Sequence, residues 1–305
     1  MKTEVWTRQV GIIGAGAVGS VLGHQLQESL GIVPVFFGRQ GPLAHRPRLM
    51  IEGKEVARDF PLPTGKDLLG LKVIFLTVKA HQLLDAIHAN VKFLPRDVSV
   101  VVLSNGMIDD EMGRLARFYS NYIWRRGVVT HAAKRLEPGR WQVTNAHGTL
   151  AFGPWNGGDD ALKPIERDIV EGLPGTRWEP NVATLVREKW LFNTSLNTLC
   201  GELSLTSNGD ALAHRDALRN LFEEAFALGR ELWGDWESNG DELFERLLRL
   251  IQETAQNQNS LVRDLQLGVM TESPFMAGVL SRSKSRFPSL ERAHKKILWQ
   301  SLQVS

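Results

Sequence analysis

The stretch that decides the fold lies near the N-terminus and reads Val10-Gly-Ile-Ile-Gly14-Ala-Gly16-Ala-Val-Gly19. Its glycines follow the order G-x-G-x-x-G, which is weak evidence when it stands alone. Here a short apolar run precedes the glycines, the apolar-periodic segment Ala17–Leu30 follows them, and a second apolar run comes at Val33–Phe37. A strand, a helix and a second strand in this order favour a dinucleotide-binding turn within one βαβ unit.

Each glycine has its own physical task in such a turn. We predict that Gly14 permits the tight turn, that Gly16 lets the backbone approach a pyrophosphate, and that Gly19 lets the helix pack closely on the strand. Free N–H groups and the positive end of the helix dipole would then hold the phosphates. The alternative is a structural turn that binds no ligand.

The end of the second strand predicts which dinucleotide binds. Proteins that bind NAD carry a carboxylate there, which holds the ribose 2′-hydroxyl, whereas this strand ends in Gly38-Arg39. A guanidinium suits a 2′-phosphate because it forms bidentate, charge-assisted hydrogen bonds. The sequence therefore predicts NADP as the cofactor and Arg39 as a cofactor-binding residue, with Arg46 and Arg48 as competitors for that role.

Two more polar residues stand where strands are predicted to end. Lys79 follows the apolar run Val73–Val78, and Asn105 follows Val98–Leu103. Ligands of open α/β sheets lie beyond the carboxyl ends of the strands, so both residues are predicted to bind the cofactor. Lys79 is equally well explained as an ordinary lysine at a helix start. After Asn105-Gly106, the acidic run that begins at Asp109 predicts a turn into a helix.

The strand and helix patterns divide the chain into two parts. Residues 1–180 alternate between the two patterns, which predicts an α/β, Rossmann-type dinucleotide-binding domain with a largely parallel sheet. Residues 181–305 have helical periodicity almost throughout, including the amphipathic stretches Leu212–Leu232 and Asp241–Gln256. We therefore expect an all-helical C-terminal domain that binds substrate and carries the catalytic residues.

Composition limits the class of partner. A net charge of +2 over 305 residues gives no reason to expect nucleic acid, and no run reaches the roughly 18 apolar residues that a membrane span needs. The single cysteine, Cys200, excludes an internal disulfide and a cysteine-based metal site, and it fits a reducing compartment. We expect a cytoplasmic protein with a small-molecule substrate and no metal, either a monomer or a homodimer.

A row of polar residues lies in the second half of the chain. Lys189, Asn193 and Asn197 follow at intervals of four, which places them in one line on a helix, about 12 Å long. No charged residue occurs between Trp190 and Gly201. Amide and hydroxyl groups without charges are typical of an enclosed site, where each polar group needs a partner. A solvated helix face of modest polarity is the alternative.

The same signature recurs further along the chain. Asn257-Gln-Asn-Ser260 is polar and uncharged, and Asp264 follows it. Thr271-Glu272-Ser273-Pro274 then predicts a helix start, with Ser273 as N-cap and Pro274 as the first helical residue. Glu272 has a simple explanation as a favourable charge beside the helix dipole.

Together these residues resemble the ketopantoate reductase family, of the 6-phosphogluconate dehydrogenase-like group, over nearly the whole chain. The matching segments are Gly14-Ala-Gly-Ala-Val-Gly19, Thr77-Val-Lys79-Ala-His-Gln82, Asn105-Gly-Met107, Thr130-His-Ala-Ala133, Lys189 with Asn193 and Asn197, and Asn257 with Ser260, Asp264 and Glu272. The family often has Asn-Pro where this chain has Asn197-Thr198, and the region around Asn208 is shifted by one residue.

The resemblance implies the reduction of 2-dehydropantoate (ketopantoate) to (R)-pantoate with NADPH, a step of pantothenate and coenzyme A biosynthesis. It implies that Lys189 is the general acid and that Glu272, the second catalytic residue, holds the substrate hydroxyl and takes part in the active-site network. Asn193, Asn197, Asn257 and Ser260 would bind the substrate's carboxylate and other oxygens. Reduction of another 2-oxo acid, and NADPH binding by a regulator without turnover, are the alternative functions.

Overall fold

The computed structural model describes residues 8–145, 147–158 and 161–303. The chain forms two compact units. Of the described residues, the first unit contains those up to Ser104 together with those within Ile108–Ala183, and the second contains Asn105–Met107 together with those from Thr184 onwards. The three residues after Ser104 thus leave the first unit and join the second.

The strands belong to the first unit. They are β1 Val10–Ile13, β2 Val35–Gly38, β3 Gly41–Leu43, β4 Arg48–Ile51, β5 Lys54–Ala57, β6 Val73–Leu76, β7 Ser99–Val102, β8 Ile123–Val129, β9 Ala132–Glu137, β10 Arg140–Asn145, β11 Leu150–Pro154 and β12 Thr176–Trp178. The helices of this unit are α1 Ala17–Leu30, α2 Gly65–Leu69, α3 Leu83–Asn90, α4 Asp109–Phe118 and α5 Pro164–Gly172.

Eight strands form a large sheet in the order β12-β11-β8-β7-β6-β1-β2-β3. β1 pairs in parallel with β2 and β6, and β6, β7 and β8 continue the parallel arrangement. Every residue of β1, β6 and β7 is buried, because helices cover both faces of a parallel sheet and its strands become continuous apolar runs. This confirms the α/β, Rossmann-type fold predicted from those runs.

A second sheet of four strands, in the order β5-β4-β10-β9, packs against α1 through Val21, Leu49 and Trp141. In this sheet β4 and β5 pair antiparallel as a hairpin that turns at Glu52-Gly53. β9 was not predicted, because four of its six residues are exposed and its sequence shows no apolar alternation. The preceding strand, β8, ends at Val129, and two residues separate it from β9.

The second unit is helical among the described residues. Its helices are α6 Val182–Leu203, which starts in the first unit, α7 Arg215–Trp233, α8 Gly240–Glu253, α9 Ser260–Gln266 and α10 Pro288–Gln303. The apolar faces of α6, α7 and α8 meet in one core that contains Trp190, Phe222 and Phe244. The predicted all-helical C-terminal region is therefore confirmed. No helix among the described residues is long and apolar enough to cross a membrane.

The helix start predicted at Ser273 is wrong in one respect. The segment forms only a short 3-10 turn, Ser273–Phe275, and Glu272 occupies the N-cap position. The Ser273 hydroxyl does not cap this turn, because it lies 2.8 Å from Nδ1 of His294 and hydrogen-bonds to that ring. A cap preference seen in sequence gives way here to a tertiary partner.

Two buried histidines hold helix α1 on the face covered by the second sheet. The Ser20 hydroxyl donates to the carbonyl of Gly16 at 2.7 Å and lies 2.9 Å from Nε2 of His45. Further along α1, the Gln25 amide donates to Nε2 of His131 at 2.8 Å. Burial lowers the pKa of both histidines to about 4, so both rings are neutral near pH 7.

These histidines make the stability of the first unit sensitive to acid. Between pH 6.5 and about 4 the unfolded chain takes up protons that the folded chain does not, so the free energy of unfolding falls as the pH falls. We expect His45→Phe, which keeps the ring contacts with Phe36 and Phe60, to reduce the loss of melting temperature between pH 7.5 and pH 5. Thermal unfolding followed by circular dichroism measures this loss.

The matched control for this measurement is His147→Gln, because the side chain of His147 is 92% exposed. This control should lose as much melting temperature on acidification as the unchanged protein. An equal loss in the His45→Phe variant would contradict the role given to His45.

Candidate functional site

The turn between β1 and α1 is built from glycines at positions where a side chain does not fit. Gly14 has φ of +117°, a region that side-chain-bearing residues rarely adopt, and a Cβ there would lie 2.7 Å from Oγ1 of Thr77. The Thr77 hydroxyl donates to the Gly14 carbonyl at 2.9 Å. A Cβ on Gly19 would collide with that same carbonyl. The turn is therefore held closely against the start of α1.

Gly16 differs from the other two glycines because it faces open space. It is exposed, and no protein atom lies within 4 Å of the position that a Cβ would occupy. Gly16 is also the N-cap of α1, and the first turn of this helix has no acidic residue. Exposed backbone N–H groups and the positive end of the dipole can therefore receive an anion. These features fit the pyrophosphate of a dinucleotide.

Arg39 lies in the two-residue turn that joins β2 to β3, directly beyond the carboxyl end of β2. It is exposed, and no carboxylate pairs with it among the residues that the structure describes. The two competing arginines are paired: Arg46 Nε lies 3.0 Å from Asp59 Oδ1, and Arg48 Nη2 lies 2.6 Å from Glu137 Oε1. Of the three, Arg39 thus has the guanidinium that is available to a phosphate.

Lys79 lies three residues beyond the end of β6, where it is the N-cap of the 3-10 turn Ala80–Gln82. It is half-buried. The preceding carbonyl, that of Val78, accepts a hydrogen bond from the Ser104 hydroxyl after β7. Lys79 thus lies both at a helix start and at the carboxyl edge of the sheet. Its position is compatible with an ordinary lysine at a helix start and with a cofactor-binding residue.

The polar row of the second unit lies on α6, as its spacing predicts. Lys189 and Asn193 are half-buried, and Asn197 is only 6% exposed. Thr194, Ser195 and Thr198 beside them are also buried. The alternative of a solvated helix face therefore does not describe this part of α6.

Asn259 is a buried residue of this region that the sequence analysis missed. Its Nδ2 donates to Oδ1 of Asn197 at 2.8 Å, and its side chain is 2% exposed. The predicted neighbours are placed differently. Asn257 is half-buried and accepts a backbone hydrogen bond from Asn208 at 3.0 Å, and Ser260 is exposed as the first residue of α9. The position before a helix start was the available signal, since Asn is a preferred N-cap.

Glu272 is 9% exposed and accepts a hydrogen bond from Nδ2 of Asn105 at 3.3 Å. The segment that carries Asn105 is held by a second bond, from the Met107 backbone to the Phe275 carbonyl at 2.7 Å. Between them Gly106 has φ of +87°, and a Cβ there would lie 2.6 Å from Cβ of Phe275. Asn105, predicted to bind the cofactor, thus lies against the predicted catalytic carboxylate.

The predicted residues therefore form three groups. The glycine turn, Arg39 and Lys79 belong to the first unit, the row on α6 with Asn259 belongs to the second, and so does the pair of Asn105 and Glu272. Ser260 is exposed at the start of α9 and forms no hydrogen bond with the α6 row among the described residues.

Cysteine does not contribute chemistry near this row. Cys200, on α6, is fully buried, and burial together with the charge of Asp210 raises its pKa to about 12. The thiolate, which is the reactive form, is therefore almost absent at neutral pH. Among the described residues no three or more histidine, cysteine or acidic side chains are grouped so that they could hold a metal ion.

Comparison with known families gives matches over both parts of the chain. Residues 10–157 match the ketopantoate reductase PanE/ApbA family, and residues 181–283 match the ketopantoate reductase PanE/ApbA C-terminal family. A 2-dehydropantoate 2-reductase of Yersinia pestis is 24% identical over 274 residues, which cover 90% of this chain and 88% of that protein.

Solved structures share the fold. A dimeric ketopantoate reductase from Staphylococcus aureus has a TM-score of 0.76 at 19% identity, covering 97% of this chain and 99% of the other. D-mandelate dehydrogenase in complex with NADH and anilino(oxo)acetate has a TM-score of 0.77 at 17% identity, with the same coverage. The two family matches together span most of the sequence, and the chain therefore belongs to the ketopantoate reductase family of oxidoreductases that use a nicotinamide dinucleotide.

Proposed function

We propose that this protein reduces 2-dehydropantoate to (R)-pantoate with NADPH, a step of pantothenate and coenzyme A biosynthesis. The observation that carries the proposal is the row of Lys189, Asn193 and Asn197 on α6, in which one cationic donor and two amides stand among buried residues. A substrate with a carboxylate next to a ketone needs this set of donors. We assign the cofactor to the domain of residues 1–180 and the substrate to that of residues 181–305.

The glycine turn and polar residues that follow the strands would hold NADPH. The N–H groups around Gly16 would bind the pyrophosphate, with Gly14 and Gly19 shaping the turn. Arg39 would bind the 2′-phosphate, because its guanidinium has no carboxylate partner among the described residues. Lys79 and Asn105 would bind on the nicotinamide-ribose side. When bound, this cofactor supplies the hydride.

Lys189 would act on the oxygen of the substrate's ketone. This oxygen gains negative charge during reduction, and an ammonium donor stabilises the charge and delivers the proton that completes the hydroxyl. Lys189 is half-buried, and the attraction between an ammonium and a developing negative charge is stronger where water is excluded.

The remaining polar residues would orient the substrate. Glu272 would accept a hydrogen bond from the substrate hydroxyl, and the amide of Asn105 already donates to one of its carboxylate oxygens. Asn193 and Asn197 would donate to the substrate's carboxylate and ketone oxygens. Asn257 and Ser260 are proposed for the same task from the family resemblance.

A second candidate substrate is a bulkier 2-oxo acid. The fold is shared with D-mandelate dehydrogenase, whose structure contains NADH and anilino(oxo)acetate, at a TM-score of 0.77. An NADPH-binding regulator without turnover is the third reading, and the lysine and carboxylate of the proposed site argue against it. We also propose a homodimer, as in the Staphylococcus aureus relative, and keep the expectation of a cytoplasmic location.

Oxidation of NADPH in the presence of ketopantoate tests the function directly. We expect the purified chain to reduce ketopantoate with a higher kcat/KM than benzoylformate, pyruvate or 2-oxoisovalerate, followed by the loss of NADPH absorbance. A higher kcat/KM with benzoylformate would assign the chain to the second candidate. Tight NADPH binding without turnover of any of these acids would assign it to the third.

Lys189→Ala tests the general acid. We expect kcat to fall by roughly 100-fold or more, because the developing oxyanion loses both its charge partner and its proton donor, while the dissociation constant of NADPH stays nearly unchanged. The control is Lys296→Ala, a change of an exposed lysine on α10. A normal kcat in the Lys189→Ala variant would remove this lysine from the mechanism.

Arg39→Asp tests the choice of dinucleotide. A carboxylate at this turn repels a 2′-phosphate and can hold a 2′-hydroxyl, so the ratio of kcat/KM for NADPH to that for NADH should fall by roughly 10- to 100-fold. Arg46→Asp is the matched control, since Arg46 already pairs with Asp59. If only the Arg46 variant lowered the ratio, Arg46 would be the residue that reads the phosphate.

A further inference from the structure

A chain of buried amides in the second unit fixes the direction in which Asn197 can form hydrogen bonds. It begins at Asn259, the N-cap of α9, whose Oδ1 accepts from the backbone N–H groups of Leu261 at 3.1 Å and Val262 at 3.4 Å. Only the oxygen of a carboxamide can accept these bonds. The NH2 group of Asn259 must therefore point away from the helix.

Both protons of that NH2 group have acceptors. Nδ2 of Asn259 donates to Oδ1 of Asn197 at 2.8 Å and to Oδ1 of Asn208 at 3.3 Å. Asn259 and Asn197 are 2% and 6% exposed, so water does not replace the hydrogen bond between them. The two neighbouring amides must both present their oxygens to Asn259.

Asn208 is fixed in the same orientation from its other end. Its Nδ2 donates to Oγ1 of Thr254 at 3.1 Å, and the Thr254 hydroxyl donates in turn to the carbonyl of Leu250 at 2.7 Å. A turn of the Asn208 amide by 180° would break two bonds at once. Asn208 is thus held at both ends of its amide, and Asn259 cannot change orientation without breaking the cap and two amide bonds.

Among the three asparagines described above, Asn197 is the one whose NH2 group lacks a strong acceptor. Among the described residues, its Nδ2 meets only Sδ of Met276, at 3.7 Å. A thioether is a weak acceptor, and a buried NH2 group left with such a partner costs free energy. The network therefore holds a buried NH2 group ready for a better acceptor.

We infer that Asn259 is a positioning residue that makes Asn197 an obligatory hydrogen-bond donor toward the substrate. At this position the site would accept an oxygen that carries lone pairs and no proton, such as a carboxylate or ketone oxygen, and would reject a group that can only donate. The inference rests on the proposed function in taking the substrate to be a 2-oxo acid. It adds that Asn197 donates, and does not accept, the hydrogen bond to the substrate, and that Asn259 sets this direction.

Asn259→Asp tests the inference with almost no change in shape. The new carboxylate keeps the cap but cannot donate, so the Asn197 amide turns to donate to it and presents its oxygen to the substrate anion. We expect KM for the 2-oxo acid to rise by roughly 30-fold, which corresponds to about 2 kcal/mol. We expect kcat to change by less than about 3-fold and the dissociation constant of NADPH to stay the same.

The matched control is Asn239→Asp. Asn239 caps α8 through the same kind of bond, from the Glu242 backbone to its Oδ1 at 2.9 Å, but it is exposed and donates to no amide in the network. This variant should keep the KM of the unchanged protein. Asn259→Ser keeps a capping oxygen in a shorter side chain, so it should raise KM by an intermediate amount and serves if the aspartate variant does not fold.

A double-mutant cycle shows whether the effect passes through Asn197. In an Asn197→Ala background, Asn259→Asp should raise KM no further, because no amide is left to turn. An equal rise of KM in both backgrounds would overturn the inference. An unchanged KM in the single Asn259→Asp variant of an active enzyme would do the same and would leave the proposed function intact.

A measurement without turnover separates this inference from the proposed function. The free energies of unfolding of Asn197→Ala, Asn259→Ser and the double variant should be non-additive, because each single change already breaks the shared bond. Additive values would overturn the inference whatever the activity. If the protein reduced no 2-oxo acid and the values were still non-additive, the proposed function would fail while the orientation of Asn197 would stand.

Discussion

The first unit depends on the close packing of α1 against the end of β1. A Cβ on Gly19 would meet the Gly14 carbonyl, and one on Gly14 would meet Thr77, so the strand, the helix and the β6 loop come together at a spot with no room for side chains. The same packing leaves the N-terminus of α1 open at Gly16. The close packing that lets α1 lie on the sheet therefore also leaves its N-terminus able to bind an anion.

The small sheet and its histidines support this helix from another side. Helix α1 carries Ser20 and Gln25, whose partners His45 and His131 stand in the loops before β4 and β9. Both rings remain neutral because they are buried, so the contacts are ordinary hydrogen bonds that do not weaken with salt. The hydroxyl of Ser20 connects His45 to the carbonyl of Gly16, which ties the glycine turn to residues far from it in sequence.

The second unit handles its polar groups differently. Its helices bury an apolar core around Phe222 and Phe244, yet α6 also buries Asn197. Burying amides is costly unless each is bonded, and here Asn259, Asn208 and Thr254 bond to one another and to backbone groups in a fixed direction. The Asn197 oxygen is engaged in the same way, and its nitrogen is the exception. In this way one helix cap can decide which end of each neutral amide donates and which end accepts a hydrogen bond.

The sequence by itself determined the βαβ unit, the parallel strands and the line of Lys189, Asn193 and Asn197, because these follow from local periodicity and from glycines that only one kind of turn requires. It did not predict β9, since exposed residues carry no apolar pattern, nor did it predict the bond of Ser273 to His294. Asn259 bonds to Asn197, which lies 62 positions away in the sequence, and Asn105 bonds to Glu272, which lies 167 positions away. Only the tertiary structure decides which amides meet and which end of each faces its partner, because that choice depends on packing between distant segments.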